Sequence, residues 1–316
     1  VVDVLRKGVS HGPVHVDLYK LLPTPGNAAA ADAFGKNIFS VTRQVRYSND
    51  SGNELDLAIF INGLPVLTFE LKNSLTKQTL ADAIVQYQTT RSPQELLFQL
   101  GRCVAHIAVD DAEAAFCTEI KGKASWFLPF NQGWNSGAGN PPNPDGLKTD
   151  YLWKQVLTRE SLANIIESYA QVVEEEEADA SGKKRKKRKQ IFPRFHQLRT
   201  VRALLRRAHT DGVGKRYLIQ HSAGSGKSNT IAWLAHQLVE LRRKDDPMTA
   251  QFDSIIVITD RRALDTQIAR TIKGYDHVAA IFGHSDNAQE LREYLRRGKK
   301  IIVTTVQKFP FILDEL

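Results

Sequence analysis

At 316 residues the chain has the length of about two domains, each large enough to bury a core of its own. Its 42% hydrophobic residues are broken up by charge, no run approaches the roughly 18 apolar residues of a membrane helix, and no secretory leader opens the sequence. These features predict a soluble protein and exclude a membrane-spanning one. The net charge of +8 looks like a nucleic-acid footprint, but residues 183–189 (KKRKKRK) carry seven of those charges and leave +1 for the rest, so the basicity is local.

Val1 stands where a starting Met would, and the sequence stops abruptly at Leu316, so a chain that continues in both directions is expected. Short strands are predicted in residues 1–180. The most informative is the pair in residues 54–73 (ELDLAIFINGLPVLTFELKN), two apolar runs joined through Asn62-Gly63, a hairpin signal. Leu55, Leu57, Ile59 and Ile61 of the first run and Leu67, Phe69 and Leu71 of the second are apolar at odd positions. The two rows share one face only if odd residues oppose odd residues. A three-residue loop with a bulge does this, and Pro65 argues against a regular ladder reaching a two-residue turn.

The register has a chemical consequence. Asp56, Glu70 and Lys72 then share the opposite face, with carboxylates on neighbouring strands close enough to hold one metal ion. Two carboxylate oxygens and a backbone carbonyl suit Mg²⁺, which keeps several of its waters. Such an ion makes water a nucleophile near neutral pH, and Lys72 could orient or help deprotonate that water and steady a pentavalent phosphate. A Glu-x-Lys strand by itself is more often a solvated face. Asp56 on the adjoining run makes a solvated face and a metal site about equally good readings.

Cys103 and Cys117 lack CxxC spacing, so neither a zinc knuckle nor a disulfide framework is implied and a reducing cytoplasm is expected. Residues 131–146 (NQGWNSGAGNPPNPDG) cannot be helical. The flanking aromatics of WFLPF (126–130) and YLW (151–153) are expected to pin the ends of this loop to a core. A helix is predicted over 159–173. The acidic then basic stretch after it reads as a linker, which divides the chain into a first domain at 1–175, a charged linker at 176–190 and a second domain at 191–316.

Beyond the linker the pattern alternates between strand and helix, as in a parallel sheet covered on both faces. Strands are predicted at 217–220, 255–259, 279–282 and 301–305, and helices at 230–242, 262–272 and 288–297. Between the first strand and the first helix lies HSAGSGKS, residues 221–228. Gly224 and Gly226 allow a tight turn whose N–H groups point inward, and the helix that follows adds its positive N-terminal end, which together make a triphosphate cradle. Lys227 would reach the β/γ phosphates of ATP and Ser228 would ligate Mg²⁺. The usual phosphate loop has Gly where this chain has His221. Asp314-Glu315 lacks a preceding long apolar strand and reads as the start of a surface helix.

Together these stretches resemble the restriction subunit of type I restriction-modification enzymes, the HsdR family, over almost the whole chain. Asp56, Glu70 and Lys72 match the D…ExK pattern of its PD-(D/E)xK nuclease domain. WFLPFNQG, GAGNP and TDYLW look like blocks of the same domain, and FHQLRTVRALL, QHSAGSGKS, VITDRRALDTQ and TTVQKF are similar to its motor segments in the expected order. The resemblance implies an α/β fold: a PD-(D/E)xK nuclease-like domain followed by the first RecA-like (P-loop, superfamily 2) motor lobe. It also implies His at position 221, an adenine-reading role for Gln197, and a nucleotide site of Gln197, His221, Gly224, Ser225, Gly226, Lys227 and Ser228. Gln86 matches part of a Gln-x-x-x-Tyr helix whose tyrosine is displaced to Tyr87, and is a supporting residue only. Mg²⁺, ATP, double-stranded DNA and separate modification and specificity subunits are the implied cofactors and partners. The motor's Asp-Glu box and the arginines of a second lobe are not visible, so ATP turnover by these residues alone is not implied. Two other readings fit the motifs taken singly: a P-loop phosphotransferase with a regulatory N-terminal domain, and a non-catalytic module gripping DNA phosphates through the basic run.

Overall fold

The computed structural model describes residues 1–178, 184–274 and 281–313, and its chain divides into two compact units, Val1–Phe195 and His196–Leu316. The first unit opens with helix α1 (Val2–Lys7), a small hairpin of β1 (Val9–His11) and β2 (Val14–Val16), and helix α2 (Ala28–Gly35). Its main sheet runs in the order β3 (Phe39–Arg46), β4 (Glu54–Ile61), β5 (Leu64–Leu71), β6 (Ala105–Val109), β7 (Ala114–Cys117) and β8 (Leu128–Pro129). Neighbours are antiparallel except β5 and β6, which are parallel because helix α3 (Leu80–Thr89) lies between them in the chain. Thr79 and Asp82 form a capping box at the start of α3.

The hairpin β4–β5 has odd residues opposite odd residues, Leu57 with Phe69 and Ile59 with Leu67, as the alternation requires. The turn differs from the expectation. Asn62 (φ 49°) and Gly63 (φ 81°) both take the left-handed region, so the loop has two residues, and the ladder continues through Ile61–Leu64 and Phe60–Pro65. The extra residue is Val66, bulged beyond Pro65, and its carbonyl accepts from the N–H of Val104 on the way into β6. Proline is tolerated at such a bulge because its missing N–H interrupts a ladder that is already irregular there. Residues 66–70 of β5 are buried on both faces, so the face carrying Glu70 belongs to the core and is not a solvated surface.

Three further expectations are corrected. Helix α4 (Arg159–Ser168) ends before residue 173, and the β-branched Val172 and Val173 instead enter strand β9 (Gln171–Ala178). The stretch expected as a linker pairs with itself: β9 is antiparallel to β10 (Lys184–Ile191), with Arg185 opposite Glu177, Lys187 opposite Glu175 and Arg188 opposite Glu174. Lys186 Nζ lies 3.3 Å from the Glu174 carboxylate, an opposite-charge contact that favours a pairing of otherwise poor strand formers. Gln190 anchors β10 by donating to the Cys103 carbonyl at 2.7 Å. Third, Trp126 is 76% exposed and pins nothing, whereas Phe130 and Tyr151 are buried and Trp153 packs on Phe69 at 5.5 Å.

In the second unit, helix α5 (Phe195–Asp211) and helix α6 (Lys227–Glu240) precede a parallel three-stranded sheet. Its order is β11 (Ile255–Thr259), β13 (Ile301–Thr305), β12 (Phe282–His284). Helices α7 (Arg262–Lys273) and α8 (Ala288–Arg296) follow the alternation read from the sequence, and a short helix α9 (Pro310–Leu313), not predicted, comes after β13. Ala232, Ala235, Ile268, Ile272, Ile301 and Val303 form the core between helices and sheet. The predicted strand at 217–220 is not one. Among the described residues no strand pairs with it, and Leu218 is 95% exposed, since an extended segment becomes a strand only where a neighbour takes up its N–H and C=O groups. The first half of the predicted strand at 279–282 and all of Asp314-Glu315 lie outside the described residues, and the described part enters β12 at Phe282.

Candidate active site

Strands β4 and β5 bring Asp56 and Glu70 together. The Asp56 Oδ2 accepts the backbone N–H of Leu71 at 2.7 Å, which fixes its carboxylate at the neighbouring strand. Glu70 is fully buried; its Oε1 accepts from Arg91 Nε at 2.6 Å, and its Oε2 has no hydrogen-bond partner. Burial, with the adjacent Asp56 adding its charge, pushes the Glu70 carboxyl up to about 7 against the opposing pull of Arg91. Removing one member of such a buried ion pair costs on the order of 3–5 kcal/mol, because the other charge is left uncompensated.

Lys72 follows at the end of β5, where its N–H donates to the Val109 carbonyl and extends the parallel ladder. Its Nζ donates to Gln86 Oε1 at 2.6 Å, so α3 supplies the side chain that positions it. Tyr87, next along α3, turns the other way into a buried set in which Thr68 Oγ1 lies 2.9 Å from its hydroxyl and 2.8 Å from His106 Nδ1. Asp56 thus stands beside Glu70, and Lys72, two residues on along the chain, is bonded to Gln86. Arg91, two residues past the end of α3, carries no motif that would have singled it out. Among the described residues no group of three or more His, Cys, Asp or Glu side chains stands ready for a metal ion. The donor set here is two carboxylates, one with an orphaned buried oxygen. That fits an ion such as Mg²⁺, which takes few protein ligands and retains water.

In the second unit the glycine-rich turn is gripped from α5. Gln197 Nε2 donates to the Gly226 carbonyl at 2.9 Å, His196 Nε2 lies 3.2 Å from the Ser225 carbonyl, and Thr200 Oγ1 lies 3.3 Å from His221 Nε2. The His196 and His221 rings meet edge to face at 5.1 Å. Gly224 and Gly226 have φ of 71° and 80°, and a Cβ on Gly226 would stand 2.5 Å from Gln197 Nε2. Lys227 opens α6, and its Nζ donates to the Ser222 carbonyl at 2.9 Å and to that of His221 at 3.4 Å. Ser228 Oγ accepts from Gln267 of α7 at 3.3 Å. The sequence marked the loop; the support from His196 and Thr200 it did not.

Both cysteines are buried and free, and burial holds the Cys103 thiol up at about 12 and raises that of Cys117, so neither serves as a nucleophile. Among the described residues no helix is long and apolar enough to cross a membrane.

Comparison with known proteins follows this division into units. Residues 11–125 match the family described as type I restriction enzyme R protein N terminus, and residues 196–315 match the SWI2/SNF2 ATPase family. The type I restriction enzyme HindI endonuclease subunit of Haemophilus influenzae is 24% identical over 289 residues, covering 89% of this chain and 26% of that protein. A Methanocaldococcus jannaschii protein provisionally named as the endonuclease subunit of the type I restriction enzyme MjaIXP is 22% identical over 319 residues, covering 88% of this chain and 28% of its own length. The chain therefore spans about a quarter of the length of these relatives. One unit is thus matched by each family, and over most of its length the chain is similar to proteins named as type I restriction enzyme endonuclease subunits.

Proposed function

We propose that the first unit is a Mg²⁺-dependent nuclease of the PD-(D/E)xK type acting on double-stranded DNA, in which Asp56 and Glu70 hold the ion and Lys72 serves the attacking water. The second unit is read as a RecA-like motor lobe whose P-loop binds ATP. Cutting is then coupled to ATP-driven movement along DNA, in a cytoplasmic complex with modification and specificity subunits. The observation that carries this reading is the orphaned, buried Oε2 of Glu70 beside Asp56, with Lys72 two residues on and held by Gln86.

When bound, the ion supplies a Lewis acid that lowers the pKa of water and offsets charge on the scissile phosphate. The chain's own groups do the rest. The Leu71 N–H keeps Asp56 aimed at the shared position. Lys72 Nζ, steadied by Gln86, orients the water and places positive charge where the phosphate becomes more negative. In the nucleotide site, Lys227 exchanges its own loop carbonyls for phosphate oxygens, Ser228 ligates the accompanying ion, and the Gln197 amide that reads adenine also sets the shape of the turn through Gly226.

The test is ATP-dependent cutting of unmethylated DNA by the full-length subunit assembled with its modification and specificity partners. Lys72→Ala is expected to abolish cutting and spare ATP hydrolysis, whereas Lys227→Ala abolishes both. Normal cutting by the Lys72→Ala protein would end the nuclease assignment.

A further inference from the structure

We infer that Arg91 is the positioning residue of the metal site: its guanidinium fixes the rotation of the Glu70 carboxylate so that Oε1 is occupied and Oε2 is left facing Asp56. This inference rests on the nuclease reading above and deepens it. All three nitrogens of the guanidinium are committed. Nε donates to Glu70 Oε1 at 2.6 Å, Nη1 to the Tyr47 hydroxyl at 3.0 Å, and Nη2 to the Glu54 backbone carbonyl at 2.8 Å. The charged head also lies over the Tyr47 ring, 5.4 Å from its centroid. Both side chains of the pair are almost wholly buried, Arg91 at 4% and Glu70 at 0% exposure.

The contacts anchor Arg91 from the segment after β3 and from the first residue of β4 before it touches Glu70. Tyr47 follows β3, Glu54 opens β4, and the Arg91 backbone hangs from the end of α3. A planar fork held at three corners presents Nε along one direction, so a carboxylate bonded to it cannot spin freely about its own axis. A pair whose only task was to neutralise a buried charge would engage both oxygens of Glu70, the bidentate arrangement that guanidinium geometry favours. Here the second oxygen is withheld and buried without a partner, next to another carboxylate. That arrangement leaves one Glu70 oxygen available to a divalent cation, with Asp56 alongside as a second carboxylate. Groups that orient metal-ligating side chains in this way commonly govern metal affinity by about 10–100-fold.

The experiment measures binding of Mn²⁺ and Mg²⁺ alone to the full chain by calorimetry at one fixed pH, with circular dichroism and melting to verify folding. Arg91→Lys keeps the positive charge and loses the fork, and is expected to weaken cation binding by at least about tenfold. Tyr47→Phe removes a single anchor and is expected to weaken it by a smaller factor while leaving the fold intact. It carries the test if Arg91→Lys does not fold. A folded Arg91→Lys protein with lowered melting temperature but unchanged cation affinity would overturn the inference, as would unchanged affinity in Tyr47→Phe when only that variant folds. Asp56→Asn separates this failure from failure of the nuclease reading. If Asp56→Asn loses cation binding and the Arg91 and Tyr47 variants do not, Arg91 has no positioning role but the metal site stands. If Asp56→Asn binds cation as the parent does, both conclusions fall.

Discussion

Glu70 titrates in the middle of the physiological range, and the sign of its effect follows from the direction of the shift. Its ordinary value is 4.5 and burial raises it to about 7, so the folded protein holds this proton more tightly than the unfolded chain does. The stability this group contributes is therefore full below about pH 4.5 and is lost as pH rises through about 7. In chelator, the melting temperature of the parent protein is expected to fall relative to that of Glu70→Gln between pH 5 and pH 8; parallel curves would show that Glu70 does not titrate in that window. Divalent-cation binding runs the opposite way, strengthening through pH 7 as the competing proton leaves. At this scale the sequence was informative about Asp56, Glu70 and Lys72, because a period-2 strand fixes which side chains share a face. It was silent about Arg91, which reaches Glu70 across 21 positions from outside any regular element.

Elements were legible in proportion to how local their causes are. Helices α6, α7 and α8 and strands β11 and β13 follow from apolar periodicity and lie within a few residues of expectation. The hairpin register was legible, its two-residue turn was not, since Pro65 is accommodated by displacing the bulge to Val66. The charged β9–β10 ladder and the unpaired 217–220 segment were both misread for one reason: strand formation depends on a partner, which a single segment does not display. The glycine-rich turn offers a test at this scale. A side chain at Gly224 or Gly226 meets left-handed strain of about 1–2 kcal/mol, but only the Gly226 Cβ also collides with Gln197, at 2.5 Å. Gly226→Ala is accordingly expected to lower stability in urea more than Gly224→Ala and to weaken nucleotide binding. Equal losses in the two variants would mean that the Gln197 contact does not shape the loop.

Across the whole molecule, each unit buries its own core and builds its own candidate site from its own elements. Leu55, Ala83, Tyr87 and Ala108 pack around α3 in the first unit, and Ala232, Ile268 and Ile301 pack between helices and sheet in the second. The order of the two units was legible because strand hairpins give way to strand–helix alternation. Their boundary was not, because the run of like charges that looked like a tether pairs its backbone with the acidic strand and is counted within the first unit. Separate cores predict separate ligand responses. In hydrogen exchange on the full chain, Mg²⁺–ATP is expected to protect residues 221–240 in the parent and in Asp56→Asn, but not in Lys227→Ala. Mn²⁺ without nucleotide is expected to protect β4 and β5 in the parent and in Lys227→Ala, but not in Asp56→Asn. Loss of both responses from either single substitution in a protein that still folds would contradict the assignment of one complete site to each unit.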